Sequence, residues 1–128
     1  MKVPTKQKKV LVVDDETPLR KALCDKLVLE GFVALEAING EIGLERALLE
    51  RPHIILLDIV MPKMDGITMA RELRKDEWGK YVPIIIMTNL SDMEKVQQAM
   101  ESEIFEYLIK SDIPMEHILG KVKEVLRV

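Results

Sequence analysis

Four apolar runs of this chain end on residues that handle charge: Asp14, Asp15, Asp58, Thr88 and Lys110. KVLVVDD closes on two carboxylates, HIILLD on a third, VPIIIMT on a hydroxyl and IFEYLIK on an ammonium. Short runs that are apolar throughout and polar at one end read as strands buried on both faces of a parallel sheet. Ligands of such sheets bind outside the carboxyl ends of the strands, where the strand order reverses. The five side chains are therefore expected at one rim. Three carboxylates gathered there repel one another. A divalent cation relieves that conflict, and Mg²⁺ suits it, because it is usually held by one or two carboxylates, waters and a substrate phosphate. With Lys110 as a further positive charge, the pocket is near neutral and ready for a dianionic phosphoryl group. Thr88 can donate to a phosphoryl oxygen, and carboxylates act as phosphoryl-accepting nucleophiles. Asp14 or Asp15 alone would read as a helix cap; the set together reads as a site.

Helical patterns lie between these runs. TPLRKALCDKLVLEG starts with Thr17 as N-cap and Pro18 at the first helical position, and Gly31 ends it. Leu19, Leu23 and Leu27 recur every four residues and should face the sheet. VALEA reads as a strand, followed by the helix NGEIGLERALLERP with Leu44, Ala47 and Leu48 inward. Beyond HIILLD and the loop IVMPKMDG, a helix is expected from Ile67 to Glu77, carrying Ile67, Ala70 and Leu73. SDMEKVQQAMES is a fourth helix capped by Ser91, and PMEHILGKVKEVLRV a fifth with Ile118, Val122 and Val125 on one face. Alternating strands and helices of this length predict a doubly wound α/β fold. Five parallel strands with five helices favour the order 2-1-3-4-5.

The composition narrows the function classes. At 128 residues the chain fits one domain, read as a flexible tail over 1–8 and a folded unit over 9–128. A net charge of −3 gives no basic face for direct nucleic-acid binding. No run approaches the roughly 20 apolar residues that span a bilayer, and MKVPTKQKK has no apolar region of signal-peptide type behind it. Cys24 is the single cysteine, so no disulfide framework exists. A cytoplasmic protein with no membrane association is expected. His53 and His117 lack metal-ligand spacing, and Trp78 reads as a packing residue at a helix end.

With these motifs in order, the chain resembles a receiver domain of the two-component response regulators, similar in size to the stand-alone chemotaxis regulator. The resemblance runs from Lys9 to Val128. It rests on Asp14-Asp15, on LLDIVMPKMDG around Asp58, on Met87-Thr88 and on YLIK ending at Lys110. It implies a flavodoxin-like sheet and a phosphorylation-dependent switch rather than a turnover enzyme. Asp58 would accept a phosphoryl group from the phosphohistidine of a histidine kinase or a phosphotransfer protein. Asp15, Asp58 and the backbone carbonyl of Val60 would ligate Mg²⁺, with Asp14 acting through water. Lys110 would pair with Asp58 at rest and with the phosphoryl group afterwards. Thr88 would move towards the phosphoryl oxygen and Tyr107 would swing inward behind it. That would reshape the face of the fourth helix, fifth strand and fifth helix for an output partner. A monomer, or a weak dimer linked to phosphorylation, is expected. Pro62 and Gly66 would shape the loop after Asp58.

Two positions depart from the family pattern: Ser111 replaces the usual proline after the lysine, and Asn89 replaces a small residue after the threonine. One alternative is a receiver cut from a longer regulator or hybrid kinase. A haloacid-dehalogenase-like phosphatase would need an aspartate where Val60 stands. A flavodoxin-like FMN binder would need a Ser/Thr/Gly-rich phosphate loop where DDETPL stands.

Overall fold

Apolar runs rich in Val, Ile and Leu form the strands, and the polar-punctuated stretches between them form helices. The computed structural model describes residues 8–88, 94, 97, 106–109 and 114–128. The strands are β1 (Lys9–Val13), β2 (Val33–Ala37), β3 (Ile54–Asp58), β4 (Ile84–Thr88) and β5 (Glu106–Ile109). Between them lie α1 (Thr17–Leu29), α2 (Gly40–Glu50) and α3 (Gly66–Arg74), and Met115–Leu126 forms the C-terminal helix. All strand pairs are parallel, in the order β2-β1-β3-β4-β5. This is a flavodoxin-like α/β fold. The expected fourth helix, SDMEKVQQAMES, lies outside the described residues except Glu94 and Gln97, which are helical. The expected tail lies outside them too, except Lys8, whose carbonyl accepts the Val33 N–H at 2.9 Å.

Two-residue alternation splits the sheet's side chains between two cores. Leu11, Val13, Ile55 and Leu57 face one side, where they pack with Ala47 of α2 and Met69, Ala70 and Leu73 of α3. Val10, Val12, Ile54 and Leu56 face the other, against Leu23 and Leu27 of α1 and Ile118, Leu119 and Val122 of the C-terminal helix. Fully burying each such Leu, Ile or Val contributes roughly 1.5–3 kcal/mol. The ion pairs Lys26–Glu116 (3.8 Å) and Lys123–Glu30 (3.2 Å) link α1 and the residue that follows it to the C-terminal helix at the surface.

The structure corrects the helix boundaries. α1 is capped by Glu16, and Thr17 is already helical. The Asp14 carboxylate accepts the Glu16 N–H at 2.9 Å and closes the turn one residue earlier than a Thr17 cap would. Gly31, at φ 94°, ends that segment in a conformation glycine favours. In α2 the inward stripe is Gly40, Gly43 and Ala47, with Leu44 half-buried, whereas Leu48 is 40% exposed. The stripe follows i, i+3, i+7 spacing, and Leu48 lies one position round the helix from it. α3 stops at Arg74 instead of Glu77. There the Asp76 carboxylate accepts the N–H groups of Trp78 (3.0 Å) and Gly79 (2.8 Å). The Arg74 guanidinium meanwhile holds the carbonyls of Gly79 (2.7 Å) and Val82 (2.8 Å). Cys24 is a buried thiol, pushed up to about 11 chiefly by that burial.

His53, just before β3, accepts the Lys9 backbone N–H on Nδ1 at 2.9 Å, a bond that needs the neutral ring. Burial and the nearby Lys8 and Lys9 charges hold its pKa below the usual imidazole value. Between the folded and unfolded pKa values the unfolded chain binds more protons, so stability rises with pH there. The contribution is complete above the unfolded value and is lost as pH falls through the folded one. Urea midpoints should fall from about pH 7.5 to about pH 5, and His53→Gln should flatten that part of the profile. Equal slopes in both proteins would contradict the assignment.

Candidate acidic site at the strand ends

Parallel pairing brings the acids together. Val13 is in register with Leu57, so Asp14 stands beside Asp58 one step further on. Asp14 follows Val12 by two residues, and Asp58 follows Leu56 by two, so alternation puts both on the α1 side of the sheet. Both are buried, Asp14 fully and Asp58 to 6% exposure. The Asp14 N–H donates to the Ala37 carbonyl (3.1 Å), which prolongs the β1–β2 ladder by one rung. Asp58 Oδ1 accepts the Ile59 N–H at 2.9 Å, which orients its carboxylate.

Glu16 joins the pair. One carboxylate oxygen from each of Asp14, Glu16 and Asp58 falls within 4.8 Å of the others. Asp15 is exposed and, as its side chain stands, outside that group among the described residues. Glu16 is not among the strand-end residues, although its two-residue spacing from Asp14 is a usable signal in the sequence. Three hard oxygen donors at one rim match the donor chemistry of Mg²⁺, and their proximity calls for a compensating charge. The residues present therefore fit the cation.

Arg20 lies behind the acids, 6% exposed, with Nη1 donating to the Asp14 carbonyl (2.8 Å) and Nε to Glu36 Oε1 (2.9 Å). Lys21 Nζ reaches Glu36 Oε2 at 3.1 Å. Burial acts to raise the Glu36 pKa, but the hydrogen bonds from Arg20 and Lys21 outweigh it and hold the carboxyl below its usual range.

The segment after Asp58 folds back on it. The Gly66 N–H donates to the Ile59 carbonyl (2.8 Å), the Met64 N–H to the Pro62 carbonyl (2.8 Å), and Lys63 takes φ 69°. Asp65 caps α3 by accepting the Thr68 N–H at 2.8 Å. Val60 is 52% exposed on this loop. In register terms Met87 faces Asp58, Thr88 comes one residue later, and Tyr107 faces Ile86. The side chains of Thr88 and Tyr107, and all of Asn89, Leu90, Lys110 and Ser111, lie outside the described residues.

A Cβ on Gly66 would collide with the Asp58 carbonyl oxygen and crowd Ile59 Cα at 3.0 Å. Both obstacles are backbone, so the loop would have to shift. Gly66→Ala should cost about 1–3 kcal/mol, the usual range for overpacking. Chemical unfolding checks this. Wild-type stability would show that the close approach is dispensable.

The chain is similar to known proteins over nearly its whole length. The family model of the response regulator receiver domain matches residues 10–123. A probable transcriptional regulator, ycf27, of Porphyridium aerugineum is 36% identical over 121 residues, which cover 94% of this chain and 49% of that protein. The phosphate regulon transcriptional regulatory protein PhoB of Pseudomonas aeruginosa is 34% identical over 120 residues, 94% of this chain and 52% of that one. The chain thus spans about half the length of these curated relatives. Among solved structures, the Thermotoga maritima response regulator TrrA in complex with Mg²⁺-BeF is 33% identical with a TM-score of 0.80, covering 93% of this chain and 99% of that one. The Vibrio cholerae chemotaxis protein CheY4 is 27% identical with a TM-score of 0.83, covering 93% and 98%. With the matched region taking in the sheet, the acid rim and the loop after Asp58, the chain belongs to the response regulator receiver domain family.

Proposed function

We propose that this chain is a phosphoryl-accepting signalling switch of a two-component system, with Asp58 as acceptor and Mg²⁺ as cofactor. The observation that carries the reading is the placement of Asp58. It is a buried carboxylate at the end of the central strand, with two further carboxylates within 4.8 Å. The donor is the phosphohistidine of a histidine kinase or phosphotransfer protein. A carboxylate oxygen of Asp58 bonds to phosphorus as the phosphorus–nitrogen bond breaks, and the electron pair of that bond returns to the donor imidazole. Bound Mg²⁺ supplies charge neutralisation for the phosphoryl oxygens and the acids around them. The Ile59 N–H on Oδ1 holds the carboxylate for attack. Lys110 pairs with Asp58 at rest and with the product afterwards, Thr88 donates to a phosphoryl oxygen, and Tyr107 follows inward. The change is read on the face of the fourth helix, β5 and the C-terminal helix by an output protein, in the cytoplasm and without direct nucleic-acid contact. The protein is a monomer or a weak phosphorylation-linked dimer, and slow self-dephosphorylation resets it without making it a turnover enzyme.

A second reading, that the chain is the receiver portion of a longer transcriptional regulator, is favoured by one observation. The relatives named as such regulators match over about half their length. The size of the native polypeptide on a denaturing gel separates the two.

Intact mass after incubation with a small phosphoramidate and Mg²⁺ tests the acceptor. Wild type should gain one phosphoryl group, and Asp58→Ala or excess chelator should abolish the gain. A labelled Asp58→Ala protein, or equal labelling in chelator, would sink the assignment.

The proposed direct holders of Mg²⁺ are Asp15, Asp58 and the Val60 carbonyl. Asp14 is fully buried with Oδ1 engaged by the Glu16 N–H, which suits a role through water. Asp15 keeps an exposed carboxylate at the mouth that can turn in. Asp15→Asn should therefore lower Mg²⁺ affinity more than Asp14→Asn. Calorimetric titration decides, and the reverse order would make Asp14 the direct ligand.

A further inference from the structure

We infer that Arg20 is a positioning residue that sets the peptide between Asp14 and Asp15, and through it the cation-binding geometry of the acid loop. A guanidinium that is 6% exposed must be matched by partners, since a buried charge left unpaired is strongly destabilising. Its partners are the Asp14 carbonyl at 2.8 Å and Glu36 at 2.9 Å. The Asp14 carbonyl belongs to the planar unit that continues into the Asp15 nitrogen and Cα. Holding that oxygen therefore fixes the direction in which Asp15 leaves the sheet.

The other side of Asp14 is tied to the same strand, because its N–H donates to the Ala37 carbonyl of β2 at 3.1 Å. β2 is an anchored reference. The Glu36 carbonyl accepts Arg46 Nη1 from α2 at 3.0 Å, and Lys21 Nζ engages the second oxygen of the Glu36 carboxylate at 3.1 Å. Arg20 thus transmits the position of β2 to the loop that carries Asp14, Asp15 and Glu16. Without it, the peptide that carries Asp15 would no longer be preset, and the cost of orienting the acids would fall on cation binding. Lysine can reproduce this function only in part, because its compact ammonium lacks the planar fork that serves two acceptors at fixed angles.

The inference rests on the Mg²⁺ reading, so the experiment has one arm with the cation and one without. Mg²⁺ affinity is measured by calorimetry on wild type, Arg20→Met, Arg20→Lys, Glu36→Gln and the double variant Arg20→Met/Glu36→Gln. Amide hydrogen exchange at Glu16 and at Leu56 is followed in metal-free buffer, with urea midpoints alongside. Arg20→Met should weaken Mg²⁺ roughly tenfold or more, the range known for residues that orient metal ligands. Arg20→Lys should recover part of that loss, and Glu36→Gln should lose less than Arg20→Met. The double variant should be no worse than Arg20→Met alone. Glu16 exchange should accelerate more than Leu56 exchange, which a loss of global stability alone would not produce. Unchanged affinity in Arg20→Met beside a normal wild type overturns the positioning role. Should Arg20→Met fail to fold, wild-type affinity in both Arg20→Lys and Glu36→Gln overturns it equally. A wild type that binds no Mg²⁺ contradicts the metal reading itself, and the Glu16 exchange then decides the role of Arg20 on its own.

Discussion

Carboxylate repulsion at the carboxyl end of a parallel sheet is the constraint on which the rest of the structure depends. β1 and β3 are neighbours, so Asp14 and Asp58 must stand side by side, and both are buried where water screens them poorly. Glu16 is brought within the same few ångströms by the turn that the Asp14 side chain itself closes. Such a cluster holds only if the scaffold resists its spreading and if positive charge offsets it. The first requirement is met by the two cores that clamp the sheet. The second is the chemical opening through which a cation and a phosphoryl group are proposed to act.

The scaffold meets its part through alternation. One residue series in β1 and β3 packs on α2 and α3, and the other packs on α1 and the C-terminal helix. A one-residue slip of either strand would exchange those faces and carry Asp14 or Asp58 to the opposite side. Core packing and site geometry are therefore specified by the same register. The α3–β4 connection is stapled apart from the site by Arg74 and Asp76, while the loop from Ile59 to Asp65 is closed beside Asp58 by its own backbone bonds.

Much of this was legible in the residues. Continuous apolar runs identified the strands, and their polar ends located the rim, because a strand buried on both faces leaves little else for a polar terminus to do. The strand order followed from the number of strand–helix units. Helix ends were less legible, since they were set by side chains acting across several residues. Asp14 closed the turn before α1, and Asp76 with Arg74 cut α3 short. Leu48 misled because an apolar residue next to a stripe counts as part of it until the helix is built. Glu16 and Arg20 are hard to single out because an acid and a base at the start of a helix look like surface residues. Only the fold reveals that one faces Asp58 and the other is buried against Asp14 and Glu36.

The central claim is that Asp58 is where covalent chemistry occurs. Its most direct measurement is chemical trapping. The protein is treated with a phosphoramidate and Mg²⁺, reduced with borohydride so that an acyl phosphate becomes homoserine, and mapped by peptide sequencing. The account predicts homoserine at position 58 alone, and none when the cation is chelated. Homoserine at position 14 or 15, or none anywhere despite phosphoryl incorporation, would contradict it.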